Sequence, residues 1–222
     1  MKIWSFTSKI VFVVLGICLA NIHSNAQEQR INAVIGDESA TTLFSTLPAQ
    51  QLPEEIRIQT HLMYVLQKLE SKPAGSLSFQ QKINRQYILT LLKQYIIIAQ
   101  FPTNTKYLNE RRPCFIDEYG NICAVGYLIA ETYGMNMAEQ INNQYQYEYV
   151  MNMKSEALAD WADEYGLTLE ECAMIQPTYG NPSMAPVYYA DIKTSYGLSS
   201  GALGGVNLAS NLQMFANKNA GK

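Results

Sequence analysis

The stretch RRPCFIDEYGNICAVGYLIAETYG, residues 111–134, decides the fold. Turn chemistry, two cysteines, paired arginines and a dense apolar run fall together in it. Cys114 to Asp117 is a short β-compatible run. Asp117-Glu118-Tyr119-Gly120 then reads as a type I turn: the aspartate accepts from the backbone, and glycine tolerates the left-handed conformation that follows. A four-residue loop of this kind pairs Ile116 with Asn121 and Cys114 with Cys123. Opposed Cβ atoms lie roughly 4.5–5.5 Å apart, within reach of a disulfide after a small adjustment. A one-residue bulge would shift that register. After Cys123 the run Ala124 to Ala130 has no alternation and no polar face, which predicts a buried helix over 124–133. Gly134 suits the position just past its end. Cys123 then sits at a helix N-terminus, where the dipole can lower a thiol pKa.

Working outward, the pattern on both sides is helical. Pro53-Glu54-Glu55 opens a helix with Pro and acids in its first turn. Ile58, Leu62, Val65, Leu66 and Leu69 form one apolar stripe, and Pro73 and Gly75 stop it. Ser78 and Gln81 make a capping box for a helix running to about Gln100, with Ile83, Tyr87, Ile88, Leu91, Leu92 and Tyr95 on one side. The short connection predicts an antiparallel pair. Asn136 and Glu139 start a further helix, read through the tyrosine-rich stretch to Val150. Ser155 caps another, and Thr168 with Glu171 makes a second capping box. The expected fold is mainly α, with one embedded β-hairpin at about 111–123. Residues 53–180 form the helical domain. Residues 27–52 are an irregular arm with a short strand at Ile31 to Ile35, and 181–222 are a tail rich in Gly, Ser and Asn.

The first 26 residues read as a signal peptide. Lys2 and Lys9 form a basic start, Ile10 to Ala20 an apolar core too short for a comfortable span, and Ser24-Asn25-Ala26 the cleavage site. Cys18 is not read as a lipidation site, because Ile17 stands where a small residue is wanted. Cleavage leaves 196 of the 222 residues. Two lysines and no acids leave with the segment, so the net charge moves from −3 to −5. The expectation is an exported protein, periplasmic or at the cell surface, with no further transmembrane span. An acidic exported chain is a poor partner for nucleic acid. The corner at Ala162 to Thr168 looks like a helix-turn-helix, but the helix after it begins Leu169-Glu170-Glu171 and carries no basic residue for phosphate.

Candidate sites are few. Export places Cys114, Cys123 and Cys172 in an oxidising compartment, and three is an odd number. Cys114–Cys123 is the favoured disulfide on the hairpin register, with Cys123–Cys172 as rival. A thiol hydrolase would use Cys123 with His61, the one histidine left after cleavage, and Asp117 as its orienting carboxylate. A disulfide half or buried thiol is the simpler reading of Cys123, because an exported thiol beside Cys114 tends to oxidise. One histidine and three scattered cysteines give no zinc spacing. Asp117, Glu118 and Asn121 fall short of a calcium loop. No metal and no cofactor are expected. Arg111 and Arg112 are candidates for an anionic contact, or for ion pairs with Asp117 or Glu118. No spacing singles out a glycosidase carboxylate pair among Glu131, Asp160, Asp163 and Glu164.

The patterns Phe115-Ile116-Asp117, Gly120, Cys123 to Ile129, Gly166 to Glu171 and Ile175-Gln176-Pro177-Thr178-Tyr179 resemble a set of uncharacterised exported bacterial proteins. The signal segment is similar to those of Bacteroidota. The resemblance spans roughly residues 55 to 180 and implies compartment and family only, with no known activity. The functional expectation is a non-enzymatic exported binding or scaffolding module. Its partner would be a protein or cell-envelope component, met through the tail. The alternative is the thiol-dependent hydrolase.

Overall fold

The computed structural model describes residues 29–43 and 53–181. Residues 1–28, which include the expected signal peptide, residues 44–52 of the expected arm and the expected tail beyond Asn181 lie outside the described residues. Among the described residues the chain is mainly α, as the periodicities predict. Its helices are α1 Glu38–Leu43, α2 Glu54–Ser71, α3 Phe79–Ile98, α4 Ala124–Tyr133, α5 Met135–Tyr145, α6 Glu156–Glu164 and α7 Leu169–Ile175. A turn of 3-10 helix spans Val150–Asn152. No helix among the described residues is long and apolar enough to cross a membrane.

The expected stripe of α2 is buried in full: Ile58, Leu62, Val65, Leu66 and Leu69. Helix α3 begins with both halves of its capping box, Ser78 Oγ accepting from the Gln81 N–H and Gln81 Oε1 from the Ser78 N–H. It ends at Ala99, in the left-handed conformation at φ 54°. Its inner face is Arg85, Ile88, Leu91, Leu92, Tyr95 and Ile96. Ile83 and Tyr87, expected beside these, are 45% and 50% exposed. Helix α3 is apolar on two adjoining faces, and only one finds a partner among the described residues. Helix α4 has the expected bounds, and Ala124, Val125, Gly126, Leu128 and Ile129 are buried. It packs against α3, α5 and α7, so the core gathers around it. Gly126 lets the preceding turn segment close against α4: a Cβ there would lie 2.7 Å from Ile122 Cγ1 and 2.9 Å from Phe115 Cε1.

The hairpin expected over 111–123 does not form as a pair of strands. One isolated antiparallel bridge, Ile116 to Ile122, closes the turn. The Asp117 N–H donates to Asn121 O and the Cys123 N–H to Phe115 O. The register is one residue off the expected one, because Gly120 at φ 82° takes up an extra position as a bulge does. Cys123 therefore faces Phe115 rather than Cys114. The ladder goes no further because Ala124 is already helical and the other strand's groups are engaged elsewhere. The Phe115 N–H donates to Gln146 O, the Ile116 N–H to Asn142 Oδ1, and Arg112 bridges to Tyr179.

Helix α5 stops at Tyr145, short of the expected Val150, and the chain turns before the 3-10 segment. Gln176 holds that turn: its Oε1 accepts from the Val150 N–H and its Nε2 donates to Glu148 O. Ser155 and Thr168 cap α6 and α7, the latter as a complete capping box. The strand expected at Ile31 to Ile35 is a run of turns. Asn32 is the cause. Its Oδ1 accepts from the N–H groups of Val34 and Ile35, and its Nδ2 donates to the carbonyls of Ala173, Met174 and Gln176 at the end of α7. Thr178 completes the closure, its N–H donating to Ile31 O and its hydroxyl to Arg30 O.

Candidate functional site

The proposed thiol, imidazole and carboxylate occupy three separate settings. Cys123 is the N-cap of α4, and its Sγ accepts from the Gly126 N–H at 3.3 Å. It is fully buried, and burial pushes its pKa up to about 12 despite the backbone donors. The dipole effect anticipated from sequence loses to desolvation. Cys114 and Cys172 are buried too, with pKa values pushed up to about 12, first by burial. All three are free thiols, so neither expected disulfide is present. For Cys114–Cys123 the shifted register removes the direct opposition on which the pairing rested.

His61 lies within α2, wholly buried, with Nε2 2.9 Å from Met174 O. That contact makes Nε2 the protonated nitrogen and leaves Nδ1 bare and unpartnered among the described residues. Burial lowers its pKa to about 4, and the charges acting on it come from Asp37, Arg57 and Arg111, not from Cys123 or Asp117. Asp117 is spent on its turn, accepting from the N–H groups of Thr103, Tyr119 and Asn121 and from Asn121 Nδ2. The structure does not bring these three residues together as a catalytic unit.

The buried imidazole has a measurable consequence. Its pKa in the fold is below the ordinary value of 6.5, so the unfolded chain binds the proton more readily. The stability due to neutral His61 is complete above pH 6.5 and is lost as pH falls toward 4, by about 3 kcal/mol at most. Urea unfolding at pH 7.5, 5.5 and 4.5 should show the decline, and His61→Gln should flatten it. Equal slopes in the two proteins would refute the assignment. Carboxylates held low, such as Glu54 and Glu171, are lost in a lower window, below about 4.5.

The two arginines also differ from expectation. Their partners are Glu54 and Glu110, not Asp117 or Glu118. Arg111 is buried and fully engaged: it meets Glu54 through two 2.7 Å hydrogen bonds and donates from Nε to Thr178 Oγ1. It has little left for a ligand. Arg112 pairs with Glu110 at 2.8 Å, and its guanidinium stands 5.1 Å from the Tyr107 ring and 5.7 Å from the Tyr149 ring.

Between Arg111 and the N-terminal turns lies an open cleft of about 350 Å³. Its lining includes Arg30, Val34, Arg111, Tyr149, Met151 and Thr178, and no Asp or Glu. Val34 and Met151 are 39% and 58% exposed. Arg30 is exposed, and its guanidinium makes no hydrogen bond or ion pair with the described residues, only its backbone carbonyl being engaged, by Thr178. Its neighbours Asn32 and Gln176 have committed their amides to the backbone. Among the described residues the cleft therefore offers one uncommitted cation beside apolar and aromatic surface. Arg30, Val34 and Met151 were not legible as site residues, because segments far apart in sequence compose the site. The only pointer in the sequence was Arg111 itself.

Among the described residues no group of three or more His, Cys, Asp or Glu side chains converges as a metal site would require. No family model, no curated protein and no solved structure matches the chain.

Proposed function

We propose that the chain is an exported, non-enzymatic binding module, periplasmic or at the cell surface, related to the uncharacterised bacterial proteins whose patterns it resembles. Its ligand site is the cleft beside Arg30, and its ligand carries an anionic group next to a small apolar or aromatic body. The observation that supports this is the guanidinium of Arg30, which has no partner among the described residues, in a cleft whose described lining holds no acid. A carboxylate or phosphate there gains a charge-assisted hydrogen bond, while Val34, Met151 and Tyr149 receive the apolar part. The tail is retained as a candidate contact segment for a partner. The thiol-hydrolase alternative needs Cys123 as a thiolate and His61 as its base. The burial of both and the raised thiol pKa weigh against it.

Titration of the purified chain with benzoate, followed by amide chemical shifts, tests the proposal. Millimolar binding is expected, with shifts confined to residues 30–34, 149–152 and 173–178. Arg30→Gln should weaken it roughly tenfold. The proposal fails if no saturable shift appears at these residues, or if Arg30→Gln binds as well as the parent.

A further inference from the structure

Away from the cleft, three helices bring tyrosines together on one face. Tyr87 comes from α3, Tyr127 and Tyr133 from α4, and Tyr165 from the end of α6. The rings of Tyr133 and Tyr165 meet edge to face at 6.2 Å, and Tyr165 lies over Trp161 at 5.8 Å. Tyr87 stands close enough to Tyr127 and Tyr165 to raise the pKa of both, after burial as the larger cause. Tyr87 and Tyr133 are half exposed, at 50% and 45%, and Ile83 and Phe79 extend the surface along α3 at 45% and 80%. Of these, Ile83 and Tyr87 are the residues of the expected α3 stripe that lie outside the core. An exposed patch of this size and aromatic content needs an explanation.

The charge around the patch says what covers it. Glu131 lies near Tyr127, and Asp160 and Glu164 near Tyr133, where Glu164 accepts from the Tyr133 hydroxyl. Neither these three acids nor Asp163 makes an ion pair with the described residues. From Ala124 to Ile175 the chain has one basic residue, Lys154, and the exposed cations of α3 are Lys82 and Lys93, so the acids concentrate on the α4 and α6 part of the face. The face thus joins electron-rich rings to unneutralised carboxylates. A guanidinium stacks on the first and pairs with the second. A second copy of this chain would bring the same acids against one another, which is repulsive.

We propose that the tyrosine face of α3, α4 and α6 is a docking surface for an arginine-bearing segment of a partner protein. Arginine side chains lie against the rings of Tyr87 and Tyr133 and pair with Glu131, Asp160 and Glu164. The acidic corner that disqualifies α6 and α7 as a nucleic-acid reader is on this reading the attractive element for a basic protein.

The probe is hexa-arginine peptide, added to the full chain and followed by amide shifts and calorimetry. Saturable binding is expected with shifts centred on residues 79–87, 127–133 and 160–165. The double variant Tyr87→Ala, Tyr133→Ala should weaken it about fivefold, and Tyr87→Phe, Tyr133→Phe should restore it, because the ring and not the hydroxyl receives the cation. Glu131→Gln with Asp160→Asn should weaken it by a similar factor, and Arg30→Gln should leave it unchanged. Binding that ignores the alanine variants would reduce the effect to diffuse attraction by acids and overturn the proposal. Absence of binding at millimolar peptide would overturn it equally. Sedimentation showing self-association through this face, broken by the same alanine variants, would assign the surface to a second copy instead.

Discussion

Arg85→Met should lower the free energy of unfolding by about 3–5 kcal/mol, the cost of breaking a buried ion pair from one side. Arg85 points inward from α3 and is only 6% exposed. It donates to Glu171 Oε1 and Oε2 at 3.0 and 3.1 Å, to Gly166 O at 2.6 Å and to Leu69 O at 3.2 Å. One guanidinium thus ties α2, α3 and the corner before α7. Methionine restores most of the volume and none of the donors. Glu171 would remain buried, still capping α7 through the Thr168 N–H, with Lys72 as its remaining cation at 2.9 Å. Burial pushes the Glu171 carboxyl up, and the hydrogen bonds from Arg85 and Lys72 outweigh it and hold the group below the usual carboxylate range. Without Arg85 that balance reverses. Urea unfolding gives the difference directly. Glu171→Gln in the same chain should recover part of the loss, since a neutral side chain keeps the capping acceptor. A loss under about 1 kcal/mol would mean the network is not cooperative.

Trp161→Ala should cost a similar amount, about 3–5 kcal/mol, through lost burial and the cavity left behind. Trp161 heads the fully buried side chains by volume. Its ring packs on Tyr165, and its indole N–H donates to Thr132 Oγ1 at 2.9 Å, joining α6 to α4. Thr132 in turn donates to Leu128 O, so its hydroxyl keeps one partner after the substitution. Trp161→Phe should therefore cost clearly less, because most of the apolar volume remains and no donor is stranded. Thermal and urea unfolding of the pair measure both. Equal losses for Phe and Ala would locate the energy in the hydrogen bond rather than the packing.

What the sequence revealed is what local chemistry dictates. Ser78, Ser155 and Thr168 announce helix starts because a side-chain oxygen three residues before a free N–H is a local event. Helix α4 was legible because ten residues with no polar face have nowhere to go but inside. The failures needed distant information. Ile83 and Tyr87 adjoin the stripe of Ile88, Leu91 and Tyr95 on a helical wheel, and only the placement of α4 and α6 decides which residues are covered. The turn at Asp117 to Gly120 was placed correctly, but its register depended on a left-handed Gly120 and on donors claimed by Asn142 and Gln146. Arg111 makes an ion pair, as one of its two readings had it, but with Glu54, which lies 57 positions away, and not with Asp117 or Glu118. The cleft was invisible for the same reason.

The closure of the N-terminal turns on the end of α7 bears on how the molecule comes into being. The side chain of Asn32 is satisfied by Ala173 and Gln176, separated from it by 141 and 144 positions. Thr178 closes on Arg30 across 148 positions. Synthesis is vectorial, so the leading arm emerges long before its mates exist, and such distant contacts are slow to form in any case. Until then the end of α7 lacks its seal and the arm lacks its acceptors. The last latch of the described domain joins residues 30–32 to residues 173–178, so the native state locks only once nearly all of that domain has been made.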